Sequence, residues 1–166
     1  VINHAQITEH GDSNGTPDIT DRDSTPNKWN DGEDDQDIDK VRVRYFDLAL
    51  RKWVTKAIVT ENGKTTVTKT GHGPWDDPEP VVKVDLKNTD INNVVVKFEY
   101  SIRVYNQGQI AGYAKEVSDY IPQGLKFVAQ DNPQWTEVDG KIVTTALENT
   151  LLQPGDYADV TVVLTW

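Results

Sequence analysis

From Lys40 onward, apolar and polar residues alternate along the chain with a period of two. In NVVVKFEYSIRVYN, Asn93 to Asn106, the clearest case appears. Val94, Val96, Phe98, Tyr100, Ile102 and Val104 share one side, and Lys97, Glu99, Ser101 and Arg103 share the other. Successive side chains of a strand point to opposite faces, so this is the signature of a half-buried strand. Similar runs rich in Val, Thr, Ile and aromatics recur: VRVRYFDLALRKWVTK, AIVT, TTVTKT, VVKVDL, KEVSDYI, LKFVA, QWTEV, KIVTT and YADVTVVLTW. Each reads as a strand. Asn62-Gly63 and Asp139-Gly140 sit between such runs and predict two-residue type I′ hairpins. VINHAQIT at the start predicts one more short strand, and the segment from Leu147 to Leu152 predicts a single short turn. No longer helical pattern is present. The expected fold is all-β: an immunoglobulin-like β-sandwich of roughly seven to nine strands over residues 40–166, preceded by an acidic N-terminal loop.

Three polar residues interrupt the inward-facing sets. Phe46, Leu48, Leu50 and Val54 share a side that also carries Lys52, and strict alternation adds Lys56 to it. The inward set of Val94–Val104 continues to Asn106, and Asp119 falls between Val117 and Ile121. In the plainest reading Lys52 and Asp119 form an ion pair near a sheet edge. Asn106 then turns the chain before Gln107-Gly108. Alternation points Trp53 away from the core.

Charge adds the second feature. The chain of 166 residues has a formal net charge of −10, and Glu9–Asp39 holds eleven carboxylates against Arg22 and Lys28. The acidity is local, and no basic patch offers to displace counterions from nucleic acid. Cysteine is absent, so there is no disulfide framework or thiol chemistry. No apolar run approaches the ~20 residues of a membrane-spanning helix. Val1 in place of a start methionine reads as a piece of a longer protein. The expected division is residues 1–9 as a strand of a preceding module or an edge strand, 10–39 as an acidic linker, and 40–166 as the sandwich.

Crowded carboxylates raise each other's pKa unless a cation sits among them. Calcium suits such a loop, because it accepts six to eight hard oxygen ligands in irregular geometry. The expected ligand pool is Asp12, Asn14, Asp18, Asp21, Asp23, Asp31, Asp34, Asp35, Asp37 and Asp39, with Asn27, Asn30 and Glu33 as further oxygen donors. Ligands two apart, as in Asp35-x-Asp37-x-Asp39, are frequent in calcium loops. The EF-hand spacing is absent. Magnesium tolerates irregular all-protein cages poorly, and zinc would want His or Cys. The competing reading is an acidic linker kept soluble by its charge.

The order of these features resembles a known family. A strand with N-x-A-x-I-T-E is followed by DSTP and EDD, then by FDLALRKWVTK and YSIRVYNQGQIAGYAKEVSDYIPQGLKFV. This is similar to repeated stalk modules of Gram-positive bacterial surface proteins, of the DUF11 and Cna-like adhesin type. The resemblance implies an immunoglobulin-like sandwich, an extracellular place on the bacterial cell surface, and neighbouring modules as partners. A host or surface ligand, protein or glycan, is a further implied partner. It also implies a self-formed isopeptide bond, with Lys52, or Lys56 on the same face, as nucleophile, Asn106 as electrophile and Asp119 as the buried acid, Glu116 being a weaker substitute because alternation points it outward. Burial would keep the amine neutral and the acid protonated. The chain is not expected to be a turnover enzyme, since its histidines, His4, His10 and His72, lie in ends or loops. A carbohydrate-binding module using Trp53 and Trp75 is the alternative function.

Overall fold

The computed structural model describes residues 1–8, 13–14, 28, 34, 36–76, 79–84, 86–87 and 89–166. The chain divides into two compact units, Val1–Val43 and Arg44–Trp166.

The first unit is a two-stranded antiparallel ladder of β1 (Ile2–Gln6) and β2 (Gln36–Lys40). Ile2 lies opposite Lys40 and Gln6 opposite Gln36. The Val1 ammonium donates to the Val41 carbonyl at 2.8 Å, and the Val41 N–H donates to the Val1 carbonyl at 2.9 Å. The N-terminal strand therefore pairs with a segment that the charge pattern had placed largely in the acidic loop. Alternation explains it: in QDIDK, Asp37 and Asp39 take one face and Ile38 the other. Asp39 then meets Asn3 and Asp37 meets Ala5, so no two carboxylates stand directly opposite. Among the described residues of this unit none is buried.

The second unit carries β3 (Leu48–Glu61), β4 (Lys64–Lys69), β5 (Val94–Asn106), β6 (Gly112–Tyr113), β7 (Val117–Tyr120), β8 (Lys126–Phe127), β9 (Thr136–Val138), β10 (Lys141–Thr144), β11 (Leu151–Leu152) and β12 (Tyr157–Thr165). They form three antiparallel sheets: β4-β3-β5-β12-β8, β7-β10-β9 and β11-β6. Both expected hairpins are present. Asn62 and Gly63 have φ of 48° and 78°, and Asp139 and Gly140 have 49° and 78°, the left-handed pair that a type I′ turn needs. One expected strand is shortened at its start and another is absent. VRVRYF yields no strand before Leu48, and VVKVDL carries none over its described residues, although Val82 and Val84 are half-buried while Val81 and Lys83 are exposed. The alternation there reflects burial against neighbours without a hydrogen-bonded ladder.

The core confirms which face of the five-stranded sheet is apolar. Ile102 and Val104 of β5 and Val160, Val162 and Leu164 of β12 are buried in one cluster with Val117 of β7, Ile142 of β10, Leu152 of β11, and Ala114, Trp135 and Leu147. Burying such side chains stabilises a fold by about 1.5–3 kcal/mol each. Beyond the short pairing with β8, the open edge of β12 is closed by side chains. Asn132 accepts from the Val163 N–H at 2.7 Å and donates to the Val163 carbonyl at 2.8 Å, while the Trp135 indole donates to the Thr161 carbonyl at 2.7 Å. These bonds stand in for a missing strand and blunt the edge.

A β-bulge interrupts the β3–β5 register between Val54 and Lys56. One extra residue inverts the parity of everything after it. Lys56 consequently leaves the side of Lys52 and lies opposite Glu99, with Nζ 2.7 Å from the Glu99 carboxylate. Strict alternation had placed both lysines together, and the bulge is why they part.

Candidate functional site

The three polar residues of the inward face have two separate fates. Lys52 in β3 reaches across to β7, where its ammonium lies 2.6 and 2.8 Å from the two Asp119 carboxylate oxygens. It also stands 4.5 Å above the Tyr100 ring. Burial, with the Asp119 charge added, pushes the Tyr100 phenol above its ordinary value. The pair ties the five-stranded sheet to the three-stranded one at their rim, with the Lys52 side chain 31% exposed.

Asn106 is elsewhere. Lys52 pairs with Ile102, whereas Asn106 pairs with Leu48, four positions earlier in β3. At about 3.3 Å per residue that offset is roughly 13 Å, beyond the reach of a lysine side chain. The Asn106 amide is also fully engaged. Nδ2 donates to the carbonyls of Ile110 at 2.8 Å and Leu152 at 3.0 Å, and Oδ1 accepts from the Gly108 N–H at 2.8 Å. The expected Lys52–Asn106 isopeptide therefore does not fit this register, while an ion pair plus a chain-turning asparagine does.

Asn106 instead organises the end of the sheet where the chain enters the second unit. Its N–H donates to the Asp156 carbonyl at 3.0 Å, and its own carbonyl accepts from the Gly155 N–H at 2.9 Å. The turn that it holds binds the incoming segment: Gln107 N–H donates to the Asp47 carbonyl at 2.9 Å and Gln109 N–H to the Tyr45 carbonyl at 2.7 Å. Gly108 is required at the contact. A Cβ there would stand 2.6 Å from the Asp47 nitrogen and 2.7 Å from the Tyr45 oxygen. The side-chain periodicity placed Asn106 inside correctly, but nothing in it revealed this clamp.

β3 begins opposite Asn106, and β12 ends with Thr165 opposite Lys97. Start and finish thus lie at opposite ends of β5, about 30 Å apart at ~3.3 Å per residue. Both flanking strands run antiparallel to β5, and the β5–β12 ladder extends unbroken from Tyr157 to Thr165.

The outer face of the same sheet holds a cluster that the sequence signalled only in part. Across three strands the register aligns Arg51, Arg103 and Asp159 in one row, Ala49, Tyr105 and Tyr157 in the next, and Trp53, Ser101 and Thr161 in a third. Trp53 does lie on the outward face, as alternation requires, yet it is buried, with the Arg103 guanidinium 5.6 Å from its ring centre. Arg103 also stacks on Tyr157 at 3.7 Å and makes two 2.8 Å hydrogen bonds to Asp159, which hold its pKa above the ordinary arginine value against a smaller opposing effect of burial. Trp75 reaches this face from the loop after β4 and lies over Arg51 at 4.8 Å, with its ring centre 6.2 Å from that of Tyr105. The two arginines at outward strand positions were the signal available in the sequence, and their value depended on which aromatics folded beside them.

Most of the expected calcium ligands, Asp12, Asp18, Asp21, Asp23, Asp31 and Asp35, lie outside the described residues, as do Asn27, Asn30 and Glu33. Asn14 and Asp34 are described and exposed. Asp37 and Asp39 are in β2, where each accepts a hydrogen bond from the next backbone N–H, at 2.8 Å from Ile38 and 2.7 Å from Lys40. Among the described residues no three His, Cys, Asp or Glu side chains converge as a metal site. The β1–β2 ladder does close the acidic segment into a loop by setting Gln6 against Gln36.

Among the described residues no helix is long and apolar enough to cross a membrane. Compared with protein-family models, with curated proteins and with solved structures, the chain matches none.

Proposed function

We propose that this chain is a load-bearing module of a bacterial cell-surface stalk, with its second unit an immunoglobulin-like sandwich. The observation that carries this reading is the opposed placement of the start of β3 and the end of β12 along β5. A pull applied there acts along the strands, so many ladder hydrogen bonds must break together. A pull across the strands would open them one at a time. The anchoring of Tyr45–Asp47 to the Asn106 turn supports the same reading, because it fixes the point where load would enter.

In this reading calcium occupies the loop between β1 and β2, which carries most of the chain's net charge of −10. A divalent ion there offsets carboxylate repulsion and gives the loop one geometry. Millimolar extracellular calcium fits the weak sites such modules use.

Single-molecule pulling on the full chain tests the proposal. The 123-residue unit Arg44–Trp166 is expected to unfold in one high-force event. Its contour gain should approach 0.36 nm per residue, roughly 44 nm before the folded length is subtracted. Gradual extension at low force would remove the mechanical reading.

A further inference from the structure

We propose that the outer face of the five-stranded sheet binds a carboxylate-bearing sugar, with Trp75, Tyr105 and Tyr157 as stacking surfaces and Arg51 as the ligand of the carboxylate. The inference stands apart from the stalk reading, since it uses neither the strand directions nor the acidic loop.

The aromatic part comes first. Three rings from three separate segments meet on one face: Trp75 from the loop after β4, Tyr105 from β5 and Tyr157 from β12. Trp75 is 72% exposed and Tyr157 56% exposed. A large indole left in water usually moves freely. This one packs against the Arg51 guanidinium at 4.8 Å and lies tilted to the Tyr105 ring at 6.2 Å. A surface ordered before its ligand arrives loses less entropy on binding. Aromatic faces of this kind pack against the C–H face of a pyranose, which is flat, apolar and ringed by hydroxyls.

Charge selects the sugar. Arg51 and Arg103 lie directly opposite each other in the register, and like charges so placed are destabilising. Asp159 compensates Arg103 through two hydrogen bonds. Among the described residues no carboxylate does so for Arg51. The side chain of Asp76, next to Trp75 in sequence, is turned back to accept from the Gly73 N–H at 2.7 Å. Among the described residues the face therefore has one uncompensated guanidinium beside a stacking surface. A planar carboxylate accepts two parallel hydrogen bonds from such a group. One cation suits a sugar with one carboxylate per ring, as in a uronic acid. A polysulfated chain needs several cations close together.

The test uses the full chain with EDTA present, which separates it from any calcium effect. Oligogalacturonate is titrated while the indole N–H signals of the five tryptophans are followed by NMR. A neutral gluco-oligosaccharide and a heparin-derived oligosaccharide are titrated in parallel. The expected result is saturable movement of the Trp75 signal with oligogalacturonate, weakened by added salt, with at least tenfold weaker binding of the other two sugars. Arg51→Gln should weaken binding about tenfold or more, Trp75→Ala should abolish it, and Trp166→Ala should leave it unchanged. All three altered side chains are exposed, and unchanged amide spectra elsewhere would verify folding. Absence of saturable binding, equal binding of the neutral sugar, preference for the sulfated one, or full binding by Arg51→Gln would each overturn the proposal. None of these results bears on the pulling experiment.

Discussion

The two units of this chain solve the problem of charge and burial in opposite ways. Val1–Val43 contains eleven acidic and four basic residues, and among its described residues nothing is buried. Its order rests on five paired positions between β1 and β2. A two-stranded ladder of that size has little stability of its own in water. Arg44–Trp166 has nearly balanced charge, and a single cluster of eleven buried apolar residues joins its sheets. Its polar groups are placed in two ways: Asn106 and Asn132 are buried with their hydrogen bonds filled, while Lys52–Asp119 and Arg103–Asp159 sit at rims and faces. A core can tolerate polar atoms when every one has a partner. In the proposed reading, the like charges between β1 and β2 are offset by a cation from outside the chain.

The largest expected effect falls inside the second unit. Asn106→Ala strands the Gly108 N–H and the Leu152 carbonyl in a buried site and takes the donor from the part-buried Ile110 carbonyl. Each unmet group costs on the order of 1–3 kcal/mol, so a loss of about 3 kcal/mol or more is expected in urea denaturation. A loss below about 1 kcal/mol would show that the clamp is not central. Next comes the first unit. Calcium at a hundredfold excess over its Kd adds about 2.7 kcal/mol to whatever it orders. EDTA should therefore increase hydrogen exchange in Ile2–Gln6 and Gln36–Lys40 and leave the Val160–Leu164 amides untouched. Identical exchange with and without calcium would remove the metal from the account and leave the acidic loop as a charged linker.

Smaller effects test the rims. Lys52→Ala is expected to cost no more than about 1 kcal/mol, and less at high salt, because a partly exposed pair is screened and gives up side-chain entropy. The intact mass should equal that of the sequence. A protein lighter by one ammonia would mean that Lys52 had found an amide despite the register. The smallest effect concerns Glu99. Burial alone would raise its carboxyl, but hydrogen bonds from Lys56 and Thr55 and the Lys56 charge prevail and hold it below the ordinary value. Its contribution is present above the ordinary glutamate pKa and is lost as acid carries the pH down through the lowered one. Lys56→Met should flatten that part of the stability profile below about pH 4.3, and an unchanged acid limb would assign it to other carboxylates.

Several features were legible before folding because they depend on neighbours in sequence. The period-two pattern located β5, β7, β10 and β12, and Asn-Gly and Asp-Gly marked both hairpins, since only residues tolerant of positive φ fill such turns. The same local logic failed where a partner strand decides. QDIDK reads as part of an acidic loop until VINHAQ lies beside it. VVKVDL reads as a strand, yet among the described residues it has no ladder.

The chain's own order of residues was enough to set the all-β class, the inward face of β5 and the concentration of charge near the start, because backbone sterics and side-chain alternation act over a few residues; Phe46 and Leu50, expected inside with Lys52, are exposed. Tertiary structure alone decided which polar groups meet. Register and one bulge at Val54–Lys56 parted Lys52 from Asn106, sent Lys56 to Glu99, and gathered Trp75, Tyr105, Tyr157 and Arg51 on one face. A shift of a single residue in strand pairing reverses every side chain beyond it, and no local pattern records that choice.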